Sequence, residues 1–171
     1  MTAKTEDGKT STTLDPDSLA SAEFQRKSEE LQTLSPYTVD QVKAMLPEEI
    51  AGAKRKGSSA NSAMGTAFAH GEYTLNDSAT MELSIFDCGG AGGSGFYTTQ
   101  YLTMLNVQSE TEDEYTRTVP FKLGRAIEHV DKSDNSSSFT WLAADRLMVT
   151  LEGKNTGIEQ LKQLAAALRL K

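Results

Sequence analysis

The residues best suited to chemistry lie in one run, Asp87-Cys88-Gly89-Gly90-Ala91-Gly92-Gly93-Ser94-Gly95, followed closely by Tyr97 and Tyr101. Glycines allow backbone N–H groups to approach a phosphate at a helix start, and Gly90 to Gly95 has the G-x-G-x-x-G spacing of dinucleotide sites. Asp113 stands near the position of a ribose-binding acid. The surroundings oppose that reading: such a site needs parallel βαβ units, whereas a hairpin pattern precedes this run and a meander follows it. No Gly-Lys-Ser/Thr follows, and Phe96 stands where a G-x-S-x-G elbow needs its last glycine. Cys88, beside a helix start, has two readings, an activated nucleophile or a small buried apolar residue.

His70 and His129 are the only histidines and fall on different predicted strands, so they could meet on one sheet face. A metal there would need a third donor, for which Glu72 or Asp87 is available; otherwise both are polar residues of a solvated face. The acidic run Glu110, Glu112, Asp113 and Glu114 lacks the Asp-x-Asp-x-Asp-Gly order of a calcium loop and reads as a solvated turn. Phe139 and Trp141 mark a strand that faces the core or a ligand. The ligand-binding candidates are therefore Asp87, Cys88, Gly90, Gly92, Gly93, Ser94, Tyr97 and Tyr101; no catalytic residue, metal or cofactor is expected.

The elements that must position these groups follow from periodicity and punctuation. A first helix is predicted over 16 to 34, capped by Asp15, with the thin apolar stripe Leu19, Phe24, Leu31 and Leu34, which suits an arm better than a core helix. A second helix over 38 to 46 carries Thr38 and Gln41 in capping-box spacing and ends at Pro47. An extended edge is predicted over 49 to 61. Strands over 66 to 75 and 79 to 88 flank the turn Asn76-Asp77-Ser78, and Met81, Leu83 and Ile85 alternate with polar residues. A helix is predicted over 95 to 107, then strands over 115 to 121, 125 to 130, 138 to 144 and 146 to 152, and a last helix over 157 to 168 capped by Thr156. Strands joined mostly by short turns imply an α+β fold, an antiparallel β-sheet covered by helices. Residues 1 to 15 read as a disordered tether, 16 to 35 as an N-terminal helix or arm, and 36 to 171 as a single domain.

Composition sets the outer limits. The chain has 171 residues, a net charge of −7, a single cysteine and 37% hydrophobic residues, which allows one small core. Scattered cations and a pI near 4.9 argue against nucleic acid. One cysteine makes no internal disulfide, and no apolar run is long enough for a transmembrane segment.

Leu46-Pro47, Ile50, Gly52 and Arg55, Ala63-Met64-Gly65, Ala69 and Tyr73, then Ile85 and Asp87 with its glycines, resemble a group of uncharacterised bacterial exported proteins and lipoproteins. The segment Ala144-Asp145-Arg146-Leu147-Met148-Val149-Thr150-Leu151-Glu152-Gly153 and the helix after it are similar to the ends of that group. The resemblance spans roughly residues 44 to 170 and implies a periplasmic or cell-envelope location, with a lipid anchor in a longer precursor, and no known activity. A cytoplasmic location is the alternative. The order of elements resembles the Mog1/PsbP-like α/β/α sandwich. The expected function is non-catalytic binding of a protein or small ligand in the bacterial envelope. The alternatives are a small enzyme or a nucleotide- or metal-binding protein using the glycine-rich loop 89 to 95, and an assembly partner docking through helix 16 to 34.

Overall fold

Tight turns set the topology. The computed structural model describes residues 16 to 170, with side chains from Ser21 onward. The expected tether at 1 to 15, the Asp15 cap and the side chain of Leu19 lie outside the described residues. The elements run α1 (Pro16–Thr33), α2 (Val39–Ala44), β1 (Glu49–Ile50), β2 (Ala53–Ala63), β3 (Thr66–Thr74), β4 (Thr80–Asp87) and α3 (Gly90–Phe96). A π-helical segment, Tyr97–Leu102, leads to α4 (Thr103–Leu105), then β5 (Ser109–Glu110), β6 (Glu114–Phe121), β7 (Gly124–Asp131), β8 (Ser136–Ala143), β9 (Leu147–Lys154) and α5 (Ile158–Ala167). The β2–β3 hairpin turns on Met64-Gly65, both at positive φ, a geometry that matches the twist of the strands it joins.

The strands form one antiparallel sheet in the order β1-β2-β3-β4-β9-β8-β7-β6-β5. Two meanders are thus sewn together at their last strands, β4 against β9, with Leu83 opposite Leu151 and Ile85 opposite Val149. The α+β expectation of an antiparallel sheet with covering helices is what the chain forms.

Alternation divides the side chains between two faces. On one, Leu83, Ile85, Val149, Leu151, Phe139 and Trp141 pack with Val42 of α2, with Leu46 just after it, and with Leu161 and Leu164 of α5. Full burial of each of these aliphatic side chains is worth about 1.5–3 kcal/mol. On the other, Leu31 of α1 joins Cys88, Tyr97, Tyr101, Leu105 and Ile127, with Phe24, Phe86, Leu142 and Met148 at the margin. The rest of this second face carries the polar rows of β3, β4, β9, β8 and β7.

Two local expectations are corrected. The helix does not begin at Gly95: the glycine run is itself helical from Gly90, so residues 89 to 95 are not a flexible loop. Thr156 does not cap α5, since Gly157 is the cap and the Thr156 hydroxyl donates to the Lys154 carbonyl. The Thr38 and Gln41 capping box of α2 forms in full.

Candidate functional site

Asp87 ends β4 fully buried, and its carboxylate is saturated by protein groups. Arg146, from the β8–β9 turn, donates from Nε to Oδ1 at 2.7 Å and from Nη2 to Oδ2 at 3.0 Å. The backbone N–H of Tyr37 donates to Oδ2 at 2.7 Å, and that of Gly89 to Oδ1 at 3.0 Å. Arg146 also donates to the Ser35 carbonyl and lies 3.6 Å above the Tyr37 ring. Hydrogen bonding to Asp87 raises the Arg146 pKa still further. The pair therefore clamps the α1–α2 connection onto the ends of β4 and β9, leaving no lone pair for a ligand.

The glycines after Asp87 are set by space. A Cβ on Gly89 would lie 2.6 Å from the Arg146 guanidinium, on Gly90 2.6 Å from the Pro36 ring, on Gly92 2.2 Å from the Met64 carbonyl, and on Gly93 2.5 Å from the Cys88 backbone. Gly90 also has φ +82°. Ser94 is buried and donates to the Ala91 carbonyl at 3.1 Å. Burial pushes the Cys88 thiol up to about 12, so it takes the apolar role and not the nucleophilic one. The structure thus brings Asp87, Cys88, Gly90, Gly92, Gly93 and Ser94 together as a packing junction.

Tyr97 and Tyr101 behave differently. The Thr98 and Thr99 hydroxyls donate to the carbonyls of Ser94 and Gly95, four residues back, which competes with the helical ladder where it widens to π geometry. The widened turn holds the two tyrosine rings 5.6 Å apart, and burial raises both pKa values. The Tyr101 hydroxyl donates to the Arg125 carbonyl at 2.9 Å.

These rings border a cleft of about 700 Å³ at the end of the sheet. Glu23, Phe24 and Lys27 of α1 form one wall; the β6–β7 turn with Phe121, Lys122, Leu123 and Arg125, and the β8–β9 turn with Leu142 and Asp145, form the other. Past Trp141 it continues into a recess of about 210 Å³ beside Leu168 and Arg169. Lys27 is engaged by Glu30 and Asp145. Among the described residues Lys122 and Arg125 have no carboxylate partner; Arg125 lies 5.4 Å over Phe24, and Lys122 5.2 Å over Phe121. Partial burial, with Arg169 nearby, lowers the Lys122 pKa. Leu123 is fully exposed at the lip, and the buried Trp141 Nε1 has no partner among the described residues.

Phe24, Lys122, Leu123 and Arg125 are cleft residues that sequence reasoning missed. The available signal was Leu123, a large apolar residue at the tip of a turn between two cations.

The histidines share the uncovered sheet face but do not meet. β4, β9 and β8 separate their strands, a span of about 19 Å at the usual interstrand spacing. His70 Nδ1 is hydrogen-bonded to Ser84 Oγ at 3.1 Å, and His129 Nδ1 to Thr116 Oγ1 at 2.8 Å. Compared with known proteins, the chain matches no family model, no curated protein and no solved structure.

Proposed function

We propose that this chain is a non-catalytic binding module whose cleft between α1, the π-helical segment and the β6–β7 and β8–β9 turns takes an apolar molecule carrying an anionic group. The observation that carries this reading is the meeting of aromatic walls with two cations, Lys122 and Arg125, that have no carboxylate partner among the described residues of a chain with net charge −7. An apolar cleft with a few fixed polar groups suits a small ligand. The non-catalytic part draws support from the placement of the four sequence candidates for chemistry, which do not converge: Asp87 and Cys88 are buried in packing, and the two histidines lie apart on the sheet. The assembly reading has less support, because Leu31 of α1 is wholly buried against its own domain and Phe24 partly so. The bacterial envelope location rests on the sequence resemblance alone, and fractionation of the source cells tests it.

Trp141 is the only tryptophan and borders the cleft, so its fluorescence reports on occupancy. Anilinonaphthalene sulfonate, an aromatic anion, is the probe. Energy transfer from Trp141 to bound dye is expected, with affinity reduced about tenfold in the Lys122→Ala, Arg125→Ala double variant, the effect of losing one charge-assisted contact. Undiminished binding by the double variant, or no transfer in the parent chain, refutes the assignment.

A further inference from the structure

On the sheet face opposite α2 and α5, outside the part covered by α1 and α3, strand pairing in register brings side chains into level rows. Glu72 of β3 stands directly opposite Glu82 of β4, which stands opposite Glu152 of β9. Like charges at such positions repel. Among the described residues, no lysine or arginine pairs with any of the three. The group that does approach is His70, whose Nε2 lies 3.5 Å from Glu82 Oε1.

That distance is longer than an N–H···O hydrogen bond and lets one ion at about 2.0 Å from each atom draw the two together, as it would at His129 and Glu114, so the third donor is what sets this cluster apart. One ligand atom each from His70, Glu72 and Glu82 lies within 4.8 Å of the others. Ser84, on the neighbouring strand, holds His70 by Nδ1 and leaves Nε2 directed at the carboxylates, the outer-shell support that metal-binding imidazoles have. The three side chains rise from paired strands, so the points from which they extend are fixed by the backbone.

We propose that His70, Glu72 and Glu82 bind a first-row divalent metal ion, Zn²⁺ being the best match to one imidazole and two carboxylates, with Glu152 adding negative charge at the rim. The remaining coordination positions face solvent and take water. His129 supplies an internal comparison: it too has a hydroxyl partner at Nδ1, that of Thr116, and a carboxylate, Glu114, 3.6 Å from Nε2, but no third donor joins it among the described residues.

The test is calorimetric titration of the full chain with Zn²⁺, alongside thermal melts with and without the metal. One saturable site per chain is expected, with a metal-dependent rise in Tm. His70→Ala and Glu82→Gln should each weaken it at least about tenfold, and Ser84→Ala by about ten- to a hundred-fold through loss of ring orientation. His129→Ala should leave it unchanged. Glu72→Gln separates ligation from simple structure: removing one repelling charge should leave the metal-free Tm equal or higher while zinc affinity falls. No saturable binding, binding retained in His70→Ala and Glu82→Gln, or equal loss in His129→Ala overturns the proposal.

Discussion

Two stretches at the same end of the sheet contrast in what their residue types suggest and what they do. Asp87 to Gly95 has a carboxylate, a thiol and a phosphate-loop spacing, yet nearly all of these features are used in packing: the carboxylate by Arg146, the thiol by an apolar layer, Gly89 and Gly90 by close side chains, and Gly92 and Gly93 by close backbone, with Gly95 alone facing open space. The β6–β7 turn, Phe121-Lys122-Leu123-Gly124-Arg125, has no motif at all, yet it forms the wall of the cleft. A motif is an arrangement along the chain, whereas a site is an arrangement in space. Glycine permits close approach of backbone to a ligand or of backbone to backbone, and only the neighbours decide between them.

The contrast is broken most severely at Asp87. Asp87→Ala leaves the Arg146 guanidinium against Tyr37 without its counter-charge and frees two backbone N–H groups, so a loss of about 3–5 kcal/mol is expected on denaturant unfolding. A variant that unfolds like the parent would mean that the carboxylate is available for another purpose. Gly92→Ala comes next. Its Cβ would press on the Met64 carbonyl and the Thr66 hydroxyl, backbone and buried side chain that cannot swing away, and a loss of about 1–3 kcal/mol is expected. A neutral Gly92→Ala would restore the flexible-loop reading.

Most of the fold could be read in advance because it depends on local signals. Met81, Leu83 and Ile85 alternate as a strand must, Thr38 and Gln41 cap α2 as their spacing requires, and the seven long strands fall within a few residues of prediction. Where the sequence reading departs from the structure, the deciding contact is distant. The helix that starts at Gly90 is held where Pro36 packs against Gly90 and the β2–β3 turn against Gly92, partners more than 20 residues away in the chain. The pairing of β4 with β9, which joins residues between 60 (Asp87 and Leu147) and 74 (Thr80 and Lys154) positions apart, leaves no local trace. The candidate site divides the same way: Tyr97 and Tyr101 stand out in the sequence because they adjoin the glycine run, whereas Phe24 and Arg125 come together only in three dimensions.

The smallest expected effect distinguishes the thiol from the tyrosines that adjoin it, and it appears only in alkali. Cys88 ionises near 9.0 when exposed and at about 12 when folded, because burial disfavours the thiolate. Below pH 9 both states keep the proton and stability is unaffected. Between pH 9 and 12 the unfolded chain loses the proton and the folded chain keeps it, so unfolding becomes more favourable as pH rises, by about 1.4 kcal/mol at pH 10 from this group alone. Tyr97 and Tyr101 are raised from 10.0 in the same sense, so their share sets in about a unit higher. The stability of the parent chain, measured by urea unfolding from pH 8 to 10.5, should therefore begin to fall near pH 9. Cys88→Ala should lower stability by a constant amount and make the fall between pH 9 and 10 shallower, leaving the part due to the raised tyrosines Tyr73, Tyr97, Tyr101 and Tyr115, which steepens above it. An unchanged slope in Cys88→Ala would place the thiol in contact with water and return it to the chemical reading that its neighbours in sequence suggest.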